Sequence, residues 1–410
     1  MESSSSIGGA LARFANALNQ NGSSLSEFIE KNYLTKWNGD TLYHAMRIRT
    51  TFVTSMIRFL TEEGLLNLEH VSLSPVTDPL AHDIEHSPTI RYKGQSYKTT
   101  HSMIYSKFLA CFNPKVKGIF VDSPNIRLEI EDPNGTQRGK YLIDFSQMDI
   151  ELRRSYRPTL EEYYFQTEKV ESILKGEMET ALSFFERLIV AAVTEIVEKN
   201  ADDLKALKVS LTVPEIPFPR ITRDEAVRLT GTKAFEAPLG ETFRTHFFWI
   251  TGLMRENYDL IYPYLSEDGT KIPLSEFKSE QIYNYDLCAR SRSADGEWGQ
   301  PYEILSGALR EWLYEPIVER LIDNKILKVR PHFSKEGELL NPEDLEGYGP
   351  FLCAAHALSK DGQRYFPATF GGGLGIERFL FAVLKGDAVK VVDDVTYFGK
   401  NPDSHPIYLF

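Results

Sequence analysis

Cysteine, basic charge and long apolar runs are all scarce in these 410 residues, and each scarcity narrows what the chain can be. The three cysteines, Cys111, Cys288 and Cys353, stand far apart with no C-x-x-C pair, which argues against both a disulfide framework and a structural zinc site. A reducing compartment is the expectation. Lysine and arginine total 46 against 58 aspartate and glutamate, a formal net charge of −12, so a generic electrostatic hold on nucleic acid would need a local basic patch to survive in the fold. No run of about 18 apolar residues occurs, nor a charged segment followed by a short apolar one, so neither membrane span nor signal peptide is expected and the location is expected to be cytoplasmic. His44, His70, His86, His246 and His356 share no ligand spacing. No cysteine follows the initiator methionine, which argues against an N-terminal cysteine glutaminase.

What is present is a chain 42% hydrophobic and 25% charged, able to bury a sizeable core, whose length permits two or three domains of about 150 residues. Residues 1–42 carry the tract Ser3 to Ser6 and read as a polar, partly ordered arm. From Tyr43 the pattern changes: Ile48, Phe52, Met56, Phe59 and Leu60 recur at helical spacing, Gly64 suits the C-cap, and a strand runs to Leu73 before Pro75. Strands are expected at Ile119 to Val121, Asn125 to Ile130 and Tyr141 to Glu151, the second pair joined by a turn at Pro133, Asn134 and Gly135. Helix covers Leu160 to Lys199, as one helix or two in succession, and further strands run over Phe247 to Ile250, Gln281 to Leu287 and Phe366 to Phe370. Residues 289–300 read as a surface loop, Trp249 and Trp312 as core, and Arg153, Arg154 and Arg157 as a small solvated cluster.

Three local patterns could carry chemistry. In GGGLGIERF, Gly371 to Phe379, glycines permit close backbone approach to a ligand and the following helix presents Glu377 and Arg378, an arginine able to hold phosphate. In SPNIRLE, Arg127 and Glu129 stand at i and i+2 of a strand, on one face, where they could grip a nucleotide or simply pair across strands. In YEILSGALRE, Glu303 and Ser306 are oxygen ligands suited to a magnesium ion bridging phosphates, and Arg310 could pair with a carboxylate.

Taken in order, these elements resemble the three signature motifs of class II aminoacyl-tRNA synthetases: Tyr43 to Pro75, then Ile126 to Glu129 with the return strand Leu142 to Glu151, then Gly371 to Arg378. EILSGALRE and the late DDVTYF, Asp393 to Phe398, resemble the aspartyl and asparaginyl branch. THSMIYSK, SPVTDP, DFSQMDIE, YNYDL and REWLYE resemble the archaeal-type asparagine synthetase related to that branch. The resemblance implies an α+β fold, an antiparallel six- or seven-stranded sheet flanked by helices, in one catalytic domain over 43–410. It also implies a homodimer built on the first motif.

The same resemblance implies roles for individual residues. Arg127 would neutralise the α-phosphate of ATP and Arg378 the γ-phosphate, as the catalytic cations. Glu129 would read the adenine edge, Phe145 would stack on adenine, Gly375 would line the nucleotide site, and either Arg138 or Lys140 would touch phosphate. Glu303 and Ser306 would bind Mg2+. His101, Ser102, Lys107, Gln147, Asp149, Asp286, Gly307 and Arg310 would form the substrate pocket, Lys107 and Arg310 pairing with aspartate carboxylates. Met103 stands where the synthetases have a glutamine for the substrate amino group, and a thioether cannot make those contacts. The expected activity is formation of β-aspartyl-adenylate from ATP and aspartate, then transfer to ammonia to give asparagine; a related acid or another small amine is the alternative. The 42 residues before the first motif are too few and too polar for a five-stranded anticodon-reading barrel, so tRNA is not an expected partner.

Overall fold

The apolar stripe through Ile48, Phe52, Met56 and Leu60 is buried along one face of a 23-residue helix, and Gly64, at φ +82°, takes the left-handed position after it. These positions come from a computed structural model, which describes residues 7–75, 88–128, 139–254, 258–266, 269–345, 347–357, 366–401 and 408–409. The chain begins with α1 (Ile7–Gln20), α2 (Leu25–Ile29), a π-helical turn (Glu30–Leu34) and α3 (Thr35–Trp37), which lead into the long α4 (Asp40–Glu62). The strands β1 (Leu66–Asn67), β2 (Leu73–Ser74), β3 (Thr89–Tyr92) and β4 (Gln95–Thr99) follow, then α5 (Ile104–Ala110), β5 (Gly118–Ile126) and β6 (Asp144–Arg153). Next come α6 (Leu160–Phe165), α7 (Thr167–Lys199), α8 (Ala201–Ala206), β7 (Arg220–Thr222), α9 (Arg223–Thr230), α10 (Glu236–Thr242) and β8 (Phe247–Thr251). The chain then forms β9 (Asn284–Ala289), β10 (Tyr302–Leu309), α11 (Tyr314–Asp323), α12 (Gly349–Ala357), β11 (Thr369–Gly375) and α13 (Ile376–Leu384).

The main sheet has eight strands in the order β1-β5-β6-β11-β10-β9-β8-β7. Its interior pairs are antiparallel, but β1 joins β5 and β7 joins β8 in parallel. The expected antiparallel sheet of six or seven strands is corrected here to a mixed sheet of eight. The two added edge strands are two and three residues long, too short for an alternating pattern to register in sequence. The glycine run 371–375 lies within β11, which begins at Thr369.

Register sorts the side chains into two faces. Trp249, Leu287, Leu305, Leu374 and Met148 stand side by side across five strands, all buried, and helices α4, α7 and α13 cover them. Phe52 of α4 stacks on Phe379 of α13 with ring centroids 3.8 Å apart, a contact whose truncation to alanine would cost about 3–5 kcal/mol. The next row on the opposite face reads Ile250, Asp286, Ser306, Gly373 and Asp149, and the row after it Asn284, Ala308, Gly371 and Glu151. One face is thus oil and the other carries carboxylates, hydroxyl and glycine.

Three further segments add detail to the sequence reading. The arm is helical from Ile7 and docks on the C-terminal segment, where Trp37 Nε1 donates to the Tyr397 carbonyl at 2.9 Å and its ring meets Phe398 edge-on. Residues 289–300 leave Ala294, Asp295, Glu297 and Gln300 exposed while their base is anchored: Arg290 and Ser291 are buried, and the Trp298 ring takes the guanidinium groups of both Arg290 and Arg292, at 5.2 and 5.3 Å. Arg154 is not solvated; its side chain is fully buried, 3.1 Å from Glu177 and over the Trp312 ring. Among the described residues no helix is long and apolar enough to cross a membrane.

Candidate active site

The polar face has two ends, and the more open one gathers aromatic and cationic groups. β5 and β6 pair through Asn125 and Phe145, so Arg127 emerges just beyond the end of β5, its backbone N–H bonded to the Ile143 carbonyl at 2.8 Å. Its guanidinium lies 5.1 Å from the centre of the Phe145 ring and donates to the His101 carbonyl at 3.1 and 3.3 Å. From the first turn of α13, Arg378 sits 5.2 Å from the Tyr141 ring, and Lys140 lies over the same ring at 5.1 Å. Lys140, Tyr141 and Arg378 line an open pocket with Phe145, Gln147 and Glu303, and with Gly373 and Gly375 on its wall, about 450 Å³ with the solvent at its mouth included; Arg127 meets its edge through the Phe145 ring. Glu129 and Arg138 lie outside the described residues.

Glu303 and Ser306 are three apart, which in a regular strand would put them on opposite faces. A β-bulge between Glu303 and Leu305 removes that conflict: Glu303 opposes Cys288 while Leu305 opposes Leu287, so one extra residue is absorbed and Ser306 returns to the face of Glu303. Glu303 Oε1 lies 3.4 Å from Arg378 Nη1. Among the described residues no cluster of three or more His, Cys, Asp or Glu could hold a metal ion, so the protein would offer one carboxylate and one hydroxyl here. That suits a magnesium ion that keeps waters and takes its remaining ligands from phosphates.

At the other end the cations are already matched. Lys107 of α5 donates to Asp149 Oδ1 at 2.7 Å, both side chains 2% exposed. Arg310 places Nε 3.3 Å from Glu151 Oε1, Nη2 3.5 Å from Glu151 Oε2, and Nη1 3.2 Å from Asp259 Oδ1. Burial opposes its charge, but Glu151 and Asp259 outweigh burial and raise its pKa above the usual arginine value. Thr369 Oγ1 donates to Glu151 at 2.6 Å, and Asn284 Nδ2 to Asp259 Oδ2 at 2.7 Å. Gly371 is required beneath this clasp, since a Cβ there would collide with Glu151 Oε2.

The remaining expected residues divide. Asp286 is buried in the Asp149–Ser306 row and Gln147 lines the pocket. Ser102 is half-buried and His101 buried, its carbonyl taken by Arg127. Gly307 falls on the core face, where a Cβ would strike the Tyr285 ring, so its smallness serves packing. Glu377 is buried, its Oε2 accepting from the Ser146 N–H at 2.9 Å, and burial pushes its pKa up. Met103 joins a small apolar cluster with Cys111, Ile119 and Val121 and brings no polar group.

Sequence reasoning missed three groups. Glu151 and Asp259 lie 159 and 51 residues from the arginine they hold, and no spacing rule reaches that far. Half-buried Glu236, on α10, has its pKa raised by burial and by the nearby Glu303, with Lys140 and Arg378 opposing the rise, which places a second carboxylate near the cationic end.

No family model matches the chain. Among curated proteins it is similar to the aspartate–tRNA(Asp) ligase of Thermococcus kodakarensis, 32% identical over 214 residues, 50% of this chain and 41% of that one. It is also similar to the aspartate–tRNA(Asp/Asn) ligase of Archaeoglobus fulgidus, 25% identical over 341 residues, 82% and 64% of the two chains. The chain thus spans about half the length of the curated relatives it matches. Among solved structures, asparaginyl-tRNA synthetase from Pyrococcus horikoshii complexed with asparaginyl-adenylate superposes with a TM-score of 0.62 at 18% identity, over 90% of this chain and 70% of that one. The Entamoeba histolytica enzyme, also with asparaginyl-adenylate, gives 0.62 at 14% identity, over 93% and 72%. The fold is that of the class II aminoacyl-tRNA synthetase catalytic domain. Within that class, the Thermococcus and Archaeoglobus relatives are aspartate–tRNA ligases, and the Pyrococcus and Entamoeba structures are asparaginyl-tRNA synthetases.

Proposed function

We propose that the protein is an ATP-dependent, AMP-forming ligase that activates aspartate as an acyl-adenylate and passes the acyl group to ammonia or another small amine. The observation that carries this reading is the meeting, on one sheet face, of an aromatic and cationic pocket with a wall of buried ion pairs; Gly373 lines the pocket, and a Cβ on it would lie 3.3 Å from Asp149 Oδ1. A carboxylate oxygen of aspartate attacks the α-phosphorus of ATP, the bond to the β-phosphate breaks, and pyrophosphate leaves. Arg127 and Arg378 would neutralise charge as it builds on the phosphates, and Phe145 would stack on the adenine. Glu303 and Ser306 would hold Mg2+, which when bound screens the polyphosphate. Ammonia nitrogen then attacks the acyl carbon, the carbon–oxygen bond to AMP breaks, and a proton goes to solvent. The mixed anhydride is needed because a free carboxylate is a poor electrophile, and a site that excludes water protects it.

A second reading has support of its own: the Thermococcus and Archaeoglobus relatives are ligases of aspartate to tRNA. The two readings share the adenylation half and differ in the acceptor. Pyrophosphate exchange with ATP, magnesium and aspartate tests the shared half. Product analysis with ammonia or with tRNA then decides; asparagine and AMP formed only with ammonia supports the first reading, and acylated tRNA without ammonia-stimulated turnover overturns it.

A further inference from the structure

Strand β5 carries two polar side chains to which the adenylation chemistry gives no part. Ser123 and Asn125 stand opposite Gln147 and Phe145, so both lie on the polar face, one strand away from two residues of the pocket wall. Both are fully buried. Ser123 Oγ and Asn125 Oδ1 nevertheless have no hydrogen-bond partner among the described residues. Asn125 Nδ2 donates to the Ser123 carbonyl at 2.9 Å, which fixes the amide orientation and makes the unmatched atom an acceptor. Buried polar atoms left unmatched are costly, and alanine or valine would fill the same places without that cost.

The surroundings restrict what can match them. The segment from Thr100 to Met103 crosses this end of β5: the Ile126 N–H bonds to the Thr100 carbonyl at 3.0 Å, Arg127 donates to the His101 carbonyl, and Met103 packs with Val121, the preceding residue on this face. His101 and Met103 are themselves buried. An occupant must therefore be small and rich in N–H or O–H donors. Ammonia fits: two of its N–H bonds serve Oγ and Oδ1 while its lone pair stays unused, and burial favours the neutral, nucleophilic form over ammonium.

We infer that Ser123 and Asn125 form the subsite for the attacking nitrogen, holding ammonia beside the acyl-adenylate. This rests on the proposed amide-forming reading and deepens it. The nitrogen lone pair bonds to the acyl carbon, the carbon–oxygen bond to AMP breaks with its electron pair going to AMP, and one proton is lost to solvent. Asp149 stands in the next row, its Oδ1 held by Lys107; its Oδ2 is likewise unmatched among the described residues and continues the line of acceptors.

The test uses the full chain with ATP, magnesium and aspartate, read first as pyrophosphate exchange without ammonia and then as asparagine and AMP formed at varied ammonia. In Ser123→Ala and in Asn125→Ala, KM for ammonia is expected to rise roughly tenfold, the loss of one hydrogen bond, while pyrophosphate exchange and KM for aspartate hold. Methylamine, larger by one methyl, is expected to give a kcat/KM roughly tenfold or more below that of ammonia in the parent. Ser123→Ala keeps the Asn125 bond to the backbone and is expected to melt no lower than the parent, so it remains informative if Asn125→Ala does not fold. An unchanged KM for ammonia in folded Ser123→Ala overturns the inference, and a lowered melting temperature beside it identifies the pair as holders of a structural water. Equal rises in KM for ammonia and aspartate also overturn it, since they report a distorted face. Pyrophosphate exchange in the parent without any ammonia-stimulated turnover overturns the amide-forming reading itself and this subsite with it.

Discussion

The two ends of the polar face are built on opposite electrostatic plans. At the wall, Lys107 and Arg310 are buried and already paired with carboxylates, at 2.7 to 3.5 Å. At the pocket, Arg378 remains 24% exposed with a single carboxylate, Glu303, at 3.4 Å, and Arg127 rests on a backbone carbonyl and an aromatic face. The wall is preorganised by the protein's own charges, so its geometry is fixed before any ligand arrives. Among the described residues the pocket's cations are less buried than those of the wall, the arrangement expected where a polyphosphate brings negative charge. Damage at the wall should therefore be felt as instability, and damage at the pocket as lost chemistry with the fold intact.

Lys107→Ala should break this comparison most visibly. It strands Asp149 as a buried charge, and removing one partner of a buried pair costs about 3–5 kcal/mol, readable in denaturant unfolding. Replacing both, Lys107→Met with Asp149→Leu, should recover most of that stability without recovering turnover. A Lys107→Ala protein as stable as the parent would show that the wall is not held by its ion pairs.

Arg378→Ala is the counterpart at the open end. We expect a loss of about 10²- to 10³-fold in pyrophosphate exchange, the usual effect of deleting one donor to developing charge, with the melting temperature unchanged. Equal exchange rates in the variant and parent would sink the assignment of this pocket to ATP. Phe145→Ala should be milder. Losing an aromatic face under a base weakens binding by about 1–3 kcal/mol, roughly tenfold in KM for ATP at constant kcat.

Much of this contrast is legible in the sequence, and the illegible part has a common cause. Periodicity locates α4, α7 and the interior strands because burial of one face repeats locally, and the resemblance points to Lys107, Asp149, Arg310, Glu303 and Arg378. Nothing local encodes the clasp of Arg310 by Glu151 and Asp259, which depends on sheet register. Residue type alone suggests the Glu303–Ser306 pair, but only the bulge explains how residues three apart share a face. Gly307 shows the reverse error: a glycine beside chemistry reads as ligand contact, when the Tyr285 ring on the core side is what forbids a side chain.

The smallest expected effect comes from the arm, the element with the weakest signal in the sequence. Trp37 holds the Tyr397 carbonyl; three residues on, the Lys400 carbonyl accepts from the Ile143 N–H at 2.9 Å, and Lys400 Nζ pairs with Asp144. Val392, which also lines the pocket, donates its N–H to the Gly139 carbonyl at 2.7 Å. The arm thus braces the C-terminal segment, and that segment fixes both flanks of Lys140, Tyr141 and Phe145. Trp37→Ala removes one hydrogen bond of this brace, worth about 0.5–1.5 kcal/mol, and should raise KM for ATP roughly two- to tenfold while leaving KM for aspartate unchanged. Trp37→Phe retains the ring against Phe398 and separates packing from the hydrogen bond. Equal increases in both KM values would place the arm's influence on the whole face and remove the distinction between its two ends.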